Sequence, residues 1–142
     1  MRSIEGFRLH FRSLHDIPKR MIDAAAFKNT RLLGGFVITV VEFTNEPMVD
    51  ALGREAIAKT GIVGMSFDLL IRVGLEEREL SVTLYHEILE AAAVASSDAP
   101  ASVLDFNEAD FERTAYAMHD ELGAASPENL NRMLQLHGFR EE

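Results

Sequence analysis

The chain of 142 residues contains no cysteine. That single absence excludes disulfides, thiolate metal sites and cysteine nucleophiles, so any bound metal has to be held by His, Asp and Glu. Basic runs are absent too: 14 Lys and Arg stand against 23 Asp and Glu, a formal net charge of −9. Such a charge opposes a phosphate-binding surface, and nucleic acid is not an expected partner. No stretch approaches the ~18–20 apolar residues a membrane helix needs. The opening "MRSIEGFRLHFRS" has no apolar core of signal-peptide length. The expectation is a soluble, cytoplasmic protein with no membrane partner. Several motifs are also missing. There is no G-x-G-x-x-G or P-loop, no E-x-x-H pair of a helical di-iron bundle, and no G-x-S-x-G elbow. "LLGGFV" lacks the helix that should follow its glycines, so Gly34 and Gly35 read as a turn.

What is present suffices for an ordinary core. Hydrophobic residues make up 47%, and this length fits one domain over 1–142. "GFRLHFRS" alternates Phe7, Leu9 and Phe11 against Arg8, His10 and Arg12, a half-buried strand with His10 on its solvent face. "DIPKRMIDAAAFKN" reads as a helix, with Asp16 as cap and Pro18 in its first turn; His15 falls in the loop before it. Phe36 to Phe43 is a β-branched run and a central strand. "NEPMVDALGREAIAKTG" reads as a second helix, with Met48, Val49, Leu52, Ala56 and Ile57 as its buried stripe. Ser66 to Val73 is a third strand, and a long helix follows from Glu76 or Glu77 to Ala95, broken by "SSDAPAS". Two more helices are expected, Asn107 to Leu122 before Gly123, and Ser126 to His137 before Gly138, where His137 complements the helix C-terminus. The fold class is therefore α+β: a small sheet of about three strands, a long helix and a helical C-terminal half.

The long helix carries the chemistry. From Val82 to Ala95 its only polar residues are Thr83, His86, Glu87 and Glu90, a narrow stripe on an otherwise apolar helix. The stripe faces either a thin band of solvent or a cleft. His86 and Glu90 are one turn apart, so both can reach one cation, and Glu87 stands beside them to polarise a water on it. No Lys or Arg joins the stripe, and the like charges of Glu87 and Glu90 at i, i+3 cost roughly 0.2–0.5 kcal/mol that a cation would offset. A solvated helix face is the plain alternative.

"MSFDLLIRVGLEERELSVTLYHEILEAA" is a strand, a short acidic turn and a helix with His-Glu at its middle. It resembles the core of zincin-type metallopeptidases, whose helix bears H-E-x-x-H, over about the middle third of the chain. The aligned residues here are His86-Glu87-Ile88-Leu89-Glu90, with Glu90 where the family has its second zinc-binding His. One His with two carboxylates is a harder donor set, open to manganese or iron(II) as well as zinc. In the gluzincin branch the third ligand is a Glu on a later helix, often within N-E-A; Asn107-Glu108-Ala109 has that pattern 18 residues after Glu90, and Glu112 takes the place of an acidic outer partner. The resemblance thus implies His86, Glu90 and Glu108 as ligands of a divalent metal, zinc foremost, and Glu87 as general base.

Alternatives stay open at this point. Asn107 is a natural N-cap, and Glu108 and Asp110 in the first turn complement the helix dipole with no metal at all. His119 shares a face with Glu108 and Glu112 and competes as third ligand, but ~1.5 Å per residue puts it ~16 Å from Glu108 along the axis, so the two cannot share an ion. Two functions follow: a metallopeptidase-like hydrolase acting on a peptide or protein, or a non-catalytic zincin-like scaffold used for protein association or metal binding.

Overall fold

A computed structural model describes residues 22–141. The strand expected at 6–13, with His10, lies outside these residues, as do His15 and the start of the helix expected from Asp16. The described remainder of that helix is a single 3-10 turn, Ala24–Phe27, capped by the Asp23 side chain.

The elements in chain order are β1 (Thr30–Arg31), β2 (Val37–Thr44), β3 (Met48–Val49), β4 (Glu55–Ala56), β5 (Ala58–Val63), β6 (Ser66–Arg72), α1 (Glu77–Ala95), α2 (Ala101–Leu104), α3 (Glu108–Leu122) and α4 (Pro127–Leu136). The class is α+β with a helical C-terminal half, as its sequence pattern suggests. Four strands form one mixed sheet in the order β1-β2-β6-β5. Its centre is the parallel pair β2–β6, and β1 and β5 are antiparallel edges. Phe67, Leu69 and Ile71 alternate inward from β6, whereas Asp68 faces out.

One expectation is corrected. Residues 45–61 are not a helix: β3 pairs with β4 in a small hairpin and β5 joins the main sheet. The reason is local. The Asp50 carboxylate accepts from the backbone N–H of Leu52 and Arg54, at 2.8 and 2.9 Å, and Gly53 takes φ 81°. That closes a tight turn inside the supposed helix, and a left-handed residue ends any helical run. Leu52, assigned to a buried stripe, points to solvent. The short helix α2 also appears within the linker after α1.

α1 behaves as its apolar surface requires. Leu80, Leu84, Tyr85, Ile88, Leu89 and Ala92 are buried in a single cluster with the inward residues of the sheet and with Phe111, Ala115, Leu130 and Met133 of α3 and α4. Fully burying an aliphatic side chain of this size contributes about 1.5–3 kcal/mol. The Tyr85 hydroxyl donates to the Gly123 carbonyl at 2.8 Å, tying the helix to the α3–α4 corner. Burial pushes that phenol up to about 12, against the Asn129 side chain, so it stays a donor. With its other sides covered, α1 has one direction left for polar side chains: the gap between β5 and α3.

Candidate metal centre

That gap is a cleft of about 440 Å³, bounded by the β4–β5 segment, the Glu79–Glu87 side of α1 and the first turns of α3. His86 and Glu87 line it and Glu90 stands behind them, each of the three offering one ligand atom within 4.8 Å of the others. From α3, Glu108 reaches across: its Oε1 lies 3.0 Å from His86 Nε2, and Glu90 Oε1 lies 3.4 Å from the same nitrogen. Thr83, the fourth residue of the stripe, is turned back on its own helix and donates to the Glu79 carbonyl at 2.8 Å.

α3 is built so that Glu108 is free to do this. Asn107 Oδ1 accepts from the Asp110 N–H at 2.8 Å, and the Asp110 carboxylate accepts from the Asn107 N–H at 3.0 Å, a complete capping box. Capping therefore falls to Asn107 and Asp110. Glu108 sits in the same first turn, but its carboxylate goes to His86. The imidazole is also stacked on Phe111, with ring centroids 6.4 Å apart and an interplanar angle of 19°.

Charge accumulates here. Burial disfavours a charged His86, but its hydrogen bonds to the Glu90 and Glu108 carboxylates, with the nearby charge of Glu87, outweigh it and raise the imidazole to about 9. Without a cation, His86 is thus an imidazolium at neutral pH. Burial pushes the Glu87 carboxyl upward, against the Thr60 hydroxyl and the His86 charge, and the neighbouring Glu90 and Glu108 push the same way as burial. Asp50, Glu55, Glu79, Glu87, Glu108 and Glu112 all line the cleft, with no Lys or Arg among its described lining residues.

Each carboxylate fits a divalent ion shared with His86; among the described residues the three whose ligand atoms all lie within 4.8 Å of one another are His86, Glu87 and Glu90, and Glu108 approaches that group through His86. Two ligand atoms ~2.1 Å from a tetrahedral ion stand ~3.4 Å apart, which the two separations from Nε2 approximate. An Nε2 has one proton or one lone pair for two carboxylates, a shortage that a divalent ion would relieve. Oxygen-rich sets of this kind take zinc, manganese or iron(II).

The other sequence candidates separate cleanly. Glu112 lines the cleft one turn beyond Glu108. His119 lies at the far end of the helix pair, with Nδ1 2.7 Å from Ser81 Oγ. His137 Nδ1 donates to the Met133 carbonyl at 2.8 Å, in the last turn of α4 as expected of it. One residue escaped sequence reasoning altogether: Thr60 on β5, whose hydroxyl donates to Glu87 Oε1 at 2.7 Å. Reading 45–61 as a helix hid it, because only an edge strand beside α1 brings it to Glu87.

No protein-family model, no curated protein and no solved structure matches the chain.

Proposed function

We propose that the chain is a zincin-like, metal-dependent hydrolase acting on peptide bonds, with His86, Glu90 and Glu108 as metal ligands and Glu87 as general base. The observation that carries this is one imidazole nitrogen between two carboxylates from different helices, with a third, half-buried carboxylate beside it in an open cleft. A divalent ion held there would supply Lewis acidity, lowering the pKa of water and polarising a carbonyl.

The chain's own residues do the rest. Glu87 accepts the proton of the attacking water and returns it to the departing amine nitrogen, which breaks the peptide bond with protons balanced. Its raised carboxyl suits it to hold that proton briefly. The outer edge of β5 offers backbone groups to an extended peptide. The acidic lining disfavours anionic substrates and favours peptides with cationic side chains near the cleaved bond. A peptide or protein substrate in the cytoplasm belongs to the same reading, and no described helix is long and apolar enough to cross a membrane.

The test is metal content. Protein purified without chelator and incubated with zinc or manganese should carry about one ion per chain, and His86→Ala should carry none. A wild-type protein without a stoichiometric ion would remove the basis of the proposal. One observation favours a second reading: the same 3.0 and 3.4 Å separations suit an imidazolium clasped by two carboxylates. A non-catalytic scaffold used for association would need no more, and it would give that metal-free result.

A further inference from the structure

Three carboxylates stand near His86, yet the proposed chemistry needs one of them to stay off the ion. A carboxylate that ligates cannot also serve as a freely accepting base. Glu87 and Glu90 are both within reach of the ion's position by the spacing of the cluster. Nothing on α1 itself distinguishes them, since both lie on the same polar stripe.

The distinguishing contact comes from the sheet. The Thr60 hydroxyl on edge strand β5 donates to Glu87 Oε1 at 2.7 Å, whereas Glu90 faces His86, at 3.4 Å. The β5 backbone is fixed by its pairing with β6, Thr60 opposite Leu69, so the hydroxyl is presented by a rigid element. Thr60 and Glu87 are both half-buried, which leaves the carboxylate little freedom once one oxygen is bound. We propose that Thr60 is a positioning residue that tethers the Glu87 carboxylate to the sheet edge and so keeps it out of the metal's ligand set. This rests on the metal-site reading above. It also couples the base to the strand that a peptide would occupy.

The proposal predicts a direction that structural damage does not. With zinc alone as probe, chelator competition should give Thr60→Val a tighter zinc affinity than wild type, by about tenfold, because the freed Glu87 joins the ion; outer partners of metal sites shift affinity by about 10–100-fold. Val is isosteric and favoured in strands. Thr60→Ser, which keeps the hydroxyl, should match wild type. The double variant Thr60→Val with Glu87→Gln should return to wild-type affinity, since the extra ligand is gone. Cobalt(II) absorption should weaken in Thr60→Val as the coordination number rises.

Wild-type zinc affinity in Thr60→Val would overturn the inference, and weaker binding would show that Glu87 is itself a ligand supported by Thr60. Should Thr60→Val fail to fold, Glu87→Gln alone decides: unchanged zinc affinity supports the tether, and a loss overturns it. If wild type binds no zinc, the metal reading fails first, which is distinguishable from failure at Thr60.

Discussion

α1 and α3 pack side by side and antiparallel, and each end of their interface holds a histidine. At one end His86 meets Glu90 and Glu108 in an open cleft. At the other, His119 meets Ser81, whose hydroxyl is fully buried and also accepts from the Ala125 N–H at 2.9 Å. The first end gathers carboxylates around one ring nitrogen and leaves the pair open to solvent: the Glu108 side chain is 67% exposed. The second end pairs a ring nitrogen with a hydroxyl and a backbone amide. One arrangement is short of positive charge, and the other is complete without any.

The largest expected difference lies in catalysis. If the His86 end is a reaction centre, Glu87→Gln removes the proton acceptor and should cost about 10²–10⁴-fold in peptide hydrolysis, with metal content by elemental analysis unchanged. Surviving activity would mean that Glu87 has been given the wrong part. No substitution at the His119 end should act on hydrolysis without first lowering stability.

A second difference concerns pH. The His86 imidazole is raised from 6.5 to about 9 by its carboxylates against the cost of burial. Its contribution to the stability of the metal-free protein is therefore full below 6.5 and is lost as pH rises through about 9. Zinc needs the lone pair that the proton occupies, so apparent zinc affinity should rise about tenfold per pH unit toward 9 and then level. Thermal melts from pH 6.5 to 9 should fall with pH for this group without zinc and stay level with saturating zinc, so that the zinc-induced shift grows toward 9. A zinc-induced shift that is flat over that window would place His86 outside the ligand set.

The two ends were not equally legible in the sequence. The polar stripe on α1 was readable because a 3.6-residue period concentrates Thr83, His86, Glu87 and Glu90 on one line, and burial of the other faces leaves that line a single outlet. Glu108 was readable only through the N-E-A resemblance; its position after Asn107 suggested capping just as well, and only the Asp110–Asn107 bonds free it from that duty. Thr60 was out of reach. "MVDALGREAIA" carries apolar residues at helical intervals, and that period outweighed the Asp50-to-Gly53 turn signal that closes the hairpin. Once the turn is misread, β5 does not exist and Glu87 has no partner across the cleft. The sheet order was similarly hidden, because the parallel pairing of β2 with β6 depends on where the intervening hairpin folds.

The smallest expected effect tests the closed end. Ser81→Ala removes a hydroxyl held between His119 Nδ1 at 2.7 Å and the Ala125 N–H at 2.9 Å. The buried Ala125 N–H then loses its partner, and an unsatisfied buried polar group costs about 1–3 kcal/mol. Ser81→Ala should lower the stability of the metal-free protein by that order in urea unfolding, with the m-value unchanged. Its zinc affinity should equal that of wild type. Ser81 lies five positions before His86, ~7.5 Å along the helix, so a local loss there does not reach the ligands unless α1 and α3 separate. If zinc affinity falls with stability, the two ends form one cooperative unit, and the closed pair serves to hold Glu108 against His86.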